Sequence, residues 1–476
     1  MSDMTHTAKT PAGPVLAADG TPLKKSLNKA LRLSKLRALA LIAPLLIFVL
    51  VTFIAPIADM LFRSVENQIV SETLPKTTAA LANWDSASGE APDETVFRAL
   101  AEDLKVAVAN KDHTKLGSRL NYEKTGISSL FRKTGRKVKD LDLENGTDFK
   151  AQFAKIEEDW LDPEVWAVIK TYSPKLTNGY FLNSVDMQKT SEGAAFRPDN
   201  QQIYITLFWR TLLMSLAITS MCILLGYPVA WILANLPART SNLLMILVLL
   251  PFWTSLLVRT SAWKVMLQQQ GVVNDTLVWY HSTAVGKVLD PVVTTILNIL
   301  IGLLNAVTWV WNLLSGIWGA MDVELFTYAN MGFERLALIN NVTGTIIAMT
   351  HILLPFMILP LYSVMATIQP TYLRAAKSMG ATNWTAFWRV YFPQSIPGIG
   401  AGSILVFILA IGYYITPEIV GGTKGVFISN RIAYHISSSL NWGLAAALGS
   451  ILLAAVLLLY WAYDRIVGID NVKLGG

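Results

Sequence analysis

The sequence predicts an all-α polytopic membrane protein of six transmembrane helices, with a largely helical domain inserted between the first and second spans. Three observations predict it. The 476-residue chain is 53% hydrophobic and 15% charged, where soluble domains carry about a quarter of charged residues. Seven runs of at least 18 residues lack Asp, Glu, Lys and Arg: 38–58, 211–238, 240–258, 291–321, 336–373, 390–417 and 432–463. Finally, 40 of the 72 charged residues fall within 64–202. An uncharged run of about 20 residues crosses a bilayer as a helix, because hydrocarbon leaves each backbone polar group to be satisfied within the segment.

Residues 1–37 read as a basic tail. Lys24, Lys25, Lys29, Arg32, Lys35 and Arg37 precede the first run, so the positive-inside rule places them in the cytoplasm. That run is too long for the apolar core of a cleaved signal peptide, which makes 38–63 the first transmembrane helix. Residues 64–202 hold 22 acidic and 18 basic residues. Within them Phe97, Leu100, Ala101, Leu104 and Val108, and then Phe149, Phe153, Ile156 and Trp160, recur at helical spacing. One crossing puts this domain outside, in the periplasm of a Gram-negative cell. Arg132, Lys133, Arg136, Lys137 and Lys139 then form a solvated helix face that meets no genome, so the net charge of +6 does not indicate nucleic-acid binding. A single cysteine, Cys222, excludes an internal disulfide framework and a thiolate metal cage.

Residues 203–280 supply the second and third spans. In 281–335, the run Pro291 to Met321 carries Asn298, Asn305 and Asn312 along one stripe, with Gly302 nearby and Trp309, Trp311 and Trp318 beside it. Such a helix lies in the interface or re-enters from the periplasmic side. A full crossing there would also move the basic loop at 374–389 outside, against the positive-inside rule. Residues 336–476 then give the fourth to sixth spans, with both termini cytoplasmic. No phosphate-cradling G-x-x-x-x-G-K-[S/T] loop exists, and the five histidines are scattered, His351 reading as a structural residue. Asn145-Gly146-Thr147 fits a glycosylation acceptor by pattern alone. Pro44, Pro56, Pro228, Pro251, Pro355 and Pro360 are expected to kink the spans.

The most informative stretch is Arg374-Ala375-Ala376-Lys377-Ser378-Met379-Gly380, followed after nine residues by Val390-Tyr391-Phe392-Pro393. It reads as a short helix from Thr371 that Gly380 stops in a left-handed conformation, with Thr382 or Asn383 capping the next helix. Ala375 and Ala376 keep the first helix slim enough to enter a groove on a partner. The stretch, within 368–397, resembles the cytoplasmic coupling loop of importer-type ABC transporter permeases: Glu-Ala-Ala, three residues, Gly, nine residues, Ile-x-Leu-Pro. Arg374 stands where that family has Glu, so a salt bridge from that Glu to the ATPase does not carry over. The resemblance covers 38–63, 203–280 and 334–470. Leu225 to Trp231, Pro251 to Arg259, Leu353 to Met357, Leu359 to Tyr362, and Gly421-Gly422 with Asn430 are similar to the spermidine/putrescine (polyamine) permease branch. Neither 64–202 nor the region near 281–333 belongs to its pattern.

The resemblance implies one of two permease subunits in a bacterial inner membrane, served by an ATP-binding subunit dimer and a periplasmic solute-binding protein. ATP and Mg would sit on the partner ATPase. This chain would be a transport subunit rather than an enzyme and would bind no cofactor itself. A polyamine carries several ammonium groups, so its path wants carboxylates and aromatic faces. Glu418, near the outer end of the fifth span, with Tyr413, Tyr414, Trp253 and Trp263, are the candidates, although Arg259 and Lys264 lie near the same tryptophans. Two other readings remain: an importer for an opine or another cationic or zwitterionic amine or amino-acid derivative, and a membrane-anchored periplasmic sensor or docking protein that works through 64–202.

Overall fold

The computed structural model describes residues 23–86, 88–141, 148–190, 193–283 and 335–467, together with parts of 291–312. Most of the basic tail, Asn145-Gly146-Thr147, Trp311 and Trp318 lie outside the described residues. The described residues between 291 and 312 are helical, and Asn305 among them is buried.

Among the described residues five helices are long and apolar enough to cross a membrane: Ser34–Arg63, Tyr204–Asn235, Val342–Met365, Asn383–Gly412 and Trp442–Arg465. The third uncharged run differs from expectation, because Ala238–Trp253 and Leu256–Met266 meet at a 94° bend. Pro251 lacks an N–H and clashes with the preceding turn. The chain tightens into a 3₁₀ turn over Leu250–Trp253, and Thr254 and Ser255 are extended before the helix restarts. Other prolines are absorbed. Pro228, Pro355 and Pro360 lie inside unbroken helices. Pro56 and Pro393 follow wide π-helical turns at Leu50–Ile54 and Phe387–Tyr391, which give the ring room.

Along the first span Leu41, Leu45 and Phe53 are exposed, as on a helix solvated by lipid. The second, fourth and fifth spans share a core built from Met214, Ile218 and Cys222, from Met349, Leu353 and Met357, and from Val406 and Ala410. Lipid provides no hydrophobic drive for helices to associate, so close approach through small residues has to supply it. Gly398 and Gly402 provide that approach. A Cβ on Gly402 would stand 2.6 Å from Met357 Sδ, and one on Gly398 3.2 Å from the Leu361 Cα.

The insert folds around its own aromatic core, in which Phe97, Phe131, Phe153, Trp160 and Trp166 are fully buried and Trp166 meets Phe97 edge-on at 4.8 Å. Helix Glu94–Ala109 buries Phe97, Leu100, Ala101 and Leu104. The second periodic stretch is shorter than its spacing suggests. Its helix ends at Ile156, Glu157 is extended, and Trp160 sits in a separate 3₁₀ turn. There the indole donates to Thr134 Oγ1 at 2.8 Å, while Glu157 pairs with Lys133 at 2.6 Å. The basic face of helix Ile127–Lys137 is exposed. A short antiparallel hairpin, Met187–Thr190 with Gly193–Phe196, was not legible from periodicity. The Glu123 side chain is buried and held by Arg119 at 2.6 Å, by the Tyr172 hydroxyl at 2.7 Å and by Asn183 at 2.9 Å.

One carboxylate joins insert and membrane body. Asp186 is fully buried with φ of +56°. Its Oδ1 accepts from the Ile203 and Tyr204 amides at 2.9 and 3.0 Å, and its Oδ2 from the Ile205 amide at 2.8 Å. These are amides that the start of the 32-residue second span leaves without helical partners, and the negative charge sits at the positive end of that helix. Beside it, Tyr180 packs against Gly443, where any Cβ would come within 2.4 Å of the ring. The Tyr204 hydroxyl lies 3.0 Å from His435 Nε2, and His435 Nδ1 lies 2.8 Å from Ser439 Oγ.

Two predictions follow from this junction. Asp186→Ala should cost about 1–2 kcal/mol, the range of a lost helix cap, read as a lower thermal midpoint of the purified protein in detergent. Asp186→Asn, which keeps one acceptor and tolerates the left-handed conformation, should cost less. Burial, with the Arg431 guanidinium nearby, lowers the His435 pKa to about 4, against about 6.5 in an unfolded chain. The folded value is depressed, so this contribution is intact above about pH 6.5 and declines as pH falls from there towards 4. His435→Gln should flatten the pH dependence of the thermal midpoint across that window.

Candidate functional site

The loop between the fourth and fifth spans is built as two short helices. The first, Pro370–Ser378, starts with proline at a position that needs no N–H. It ends where Gly380 adopts φ of +89°. The Ala381 amide donates to the Ala376 carbonyl at 3.1 Å and the Gly380 amide to the Lys377 carbonyl at 3.0 Å, the paired bonds of a Schellman stop. No atom would lie within 4 Å of a Cβ on Gly380, so the backbone conformation, not space, calls for glycine. Thr382 Oγ1 then accepts from the Thr385 amide at 3.2 Å and caps the next helix.

Arg374, Ala375 and Pro393 are exposed and Ala376 is half-buried, while Leu373 packs against the core of the spans. Beside them Met379 is 87% exposed and Trp384 71% exposed, an apolar surface of the kind that marks an interaction site. Behind this surface runs a ladder of rings that sequence reasoning missed. Trp384 meets Trp388 at 5.6 Å, Trp388 meets Phe392 at 4.9 Å, and Phe387 stacks on Tyr391 at 5.9 Å. Tyr227 of the second span touches Phe387 and Phe392, and its hydroxyl lies 3.0 Å from Ser395 Oγ. The recurrence of aromatics at i, i+4 was the available signal.

At the end of the fifth span, where Tyr413 caps its helix, the structure gathers part of the predicted path. Glu418 is exposed on helix Ile415–Val420, and its carboxylate accepts from Asn430 Nδ2 at 2.6 Å. Asn430 is buried. It also donates to the Tyr414 carbonyl at 2.8 Å and accepts from the Phe427 amide at 2.9 Å, so it locks the segment on which Glu418 stands. Trp263 Nε1 donates to His351 Nδ1 at 3.1 Å. Arg259, one turn before Trp263, lies close enough to act electrostatically on both His351 and Tyr413. Its Nε is buried without a hydrogen-bond partner. Thr260 and Thr416 hydroxyls, 3.1 Å apart, fix this helix against Ile415–Val420. Trp253 sits before the bend, 79% exposed, apart from the others. His351 and Arg259 were not among the candidates, since the contact between Trp263 and His351 joins two different helices and depends on tertiary packing.

Asn430→Ala should cost about 1–3 kcal/mol by leaving buried partners unsatisfied, and it should raise protease sensitivity between the fifth and sixth spans in the purified protein.

The family described as "Binding-protein-dependent transport system inner membrane component" matches residues 223–467. The spermidine/putrescine transport system permease protein PotB of Escherichia coli K12 is 30% identical over 268 residues, 56% of this chain and 80% of PotB. PotB of Haemophilus influenzae is 30% identical over the same share of this chain and 77% of its own length. The inner membrane ABC transporter permease protein YdcU of E. coli K12 is 29% identical over 319 residues, 65% of this chain and 88% of YdcU. The match takes in the Gly380 loop, Glu418 and Asn430, and the chain belongs to this family as a multi-pass inner-membrane permease subunit of an ABC importer.

Proposed function

We propose that this chain is one of two permease subunits of an ATP-driven importer, and that it passes polyamines such as spermidine and putrescine from periplasm to cytoplasm by alternating access. The observation that carries the reading is the slim, exposed helix Pro370–Ser378, backed by rings that belong to the second and fifth spans. An ATP-binding subunit dimer gripping that helix would move both spans together. Arg374, exposed in place of the family's Glu, suits an acidic patch on a co-adapted ATPase. ATP and Mg are then handled by that partner, a periplasmic binding protein delivers the substrate, and both termini face the cytoplasm.

The polyamine substrate is supported by the PotB relatives, whose names specify spermidine and putrescine. It is also supported by the exposed Glu418 carboxylate, which Asn430 ties to the Tyr414 carbonyl. A second reading rests on Arg259. A guanidinium with a buried, unpartnered Nε, within electrostatic range of Tyr413 and His351, suits a carboxylate, so a zwitterionic amine such as an opine would satisfy both it and Glu418.

Gly380→Val forces a β-branched residue into a left-handed conformation, at roughly 1–2 kcal/mol. In the assembled complex it should leave expression intact and reduce substrate-stimulated ATP hydrolysis about tenfold, the change that such a cost corresponds to. Unchanged uptake would contradict the coupling role. Thermal stabilisation of the cognate binding protein by spermidine or putrescine is expected. Stabilisation by an opine alone would select the second reading.

A further inference from the structure

Apart from the loop and the Glu418 cluster, the described residues line an open cavity of about 720 Å³ between the insert and the start of the last span. That volume lies in the range of small-molecule sites. Three side chains lining it carry a buried polar atom without a hydrogen-bond partner: Arg119 Nη2, Asn441 Nδ2 and Asn67 Oδ1. All three residues are more than nine-tenths buried. Folded interiors leave few such atoms, and a ligand whose groups reached them would supply the bonds they lack.

The chemistry of that ligand follows from the donors. Arg119 already gives Nε to the Tyr180 hydroxyl at 2.9 Å and Nη1 to Glu123 at 2.6 Å, so its remaining nitrogen is left for a further acceptor. Lys115 and Arg63 also line the cavity, against one acidic residue, Glu66, so the wall is net positive. The 26-residue last helix begins here, and Asn441 Oδ1 accepts from the Leu444 amide at 3.2 Å, which adds the positive end of a helix dipole. Asn67 Oδ1 is an acceptor and asks for a hydroxyl on the ligand. Leu440 and Trp442 at the rim are 65% and 53% exposed. Such residues at the start of a span mark the level of the bilayer interface.

We propose that this cavity binds an anionic phosphoryl group with a neighbouring hydroxyl, the chemistry of a phosphatidylglycerol headgroup or of a soluble glycerol phosphate. Bound there, the group would bridge the insert and the last span, so that the lipid around the transporter would tune how firmly the two are held.

The test uses the assembled complex in zwitterionic detergent at constant ionic strength. Dioleoylphosphatidylglycerol, dioleoylphosphatidylcholine and glycerol 1-phosphate are titrated separately, with retained ligand read by native mass spectrometry. Two variants weaken the site at its accessible edge: Lys115→Glu, where Lys115 pairs at the surface with Asp112, and Ser118→Trp, which fills the cavity from an exposed position. An unchanged thermal midpoint without lipid establishes that both fold. Phosphatidylglycerol should bind and phosphatidylcholine should not; Lys115→Glu should weaken binding about tenfold, the usual scale of a lost charge-assisted hydrogen bond, and Ser118→Trp should weaken it by occupying the cavity. Binding of glycerol 1-phosphate alone, weakened in the same way, keeps the phosphoryl site and assigns it a soluble source. No binding by either phosphoryl probe, or binding that both variants leave unchanged, overturns the proposal.

Discussion

The three amides that Asp186 takes at the start of the second span constrain much of the remaining structure. A helix entering hydrocarbon must have its first N–H groups satisfied before water is lost, and here the acceptor comes from a domain outside the membrane body. Tyr180 against Gly443 and Tyr204 beside His435 extend the same junction to the last span. The insert is therefore built into the beginnings of two spans. The far end of the second span meets the Gly380 loop through Tyr227, about 35 Å along one helix at 1.5 Å per residue. In the proposed cycle, a pull on the loop reaches the insert through a single element.

What was legible in the sequence was whatever a local rule determines. Five of the seven uncharged runs became spans among the described residues, because the bilayer imposes length and composition. Gly380 stops its helix because a left-handed residue is needed there, and Thr382 caps the next because an orphan N–H needs an acceptor. What stayed hidden depended on tertiary choice. Six prolines looked alike, yet those at 228, 355 and 360 stay in unbroken helices, and near Pro251 the chain turns by 94°. Asp186 gave no sign of its role, since a buried Asp with φ of +56° gains a function only once residue 203 returns beside it. The break at Glu157 is of the same kind, set by a salt bridge and a buried indole.

Charge around the fifth span has two faces. Glu418 presents a carboxylate, steadied by Asn430, and Arg259 presents a guanidinium nitrogen without a partner. A pure polycation gains from the first and is repelled by the second, while a zwitterion uses both. The distance from a substrate to each group in its bound pose decides between them, because Coulomb energy falls as the groups separate and as water enters.

The proposed function is directional, ATP-driven passage of a polyamine through a complex that contains this chain. Its most direct test is uptake of radiolabelled spermidine into proteoliposomes that hold the assembled transporter, with binding protein on one face and ATP on the other. The expected result is accumulation that requires both ATP and binding protein and that unlabelled putrescine competes away. A complex that hydrolyses ATP in response to its loaded binding protein, yet accumulates neither polyamine, would contradict it.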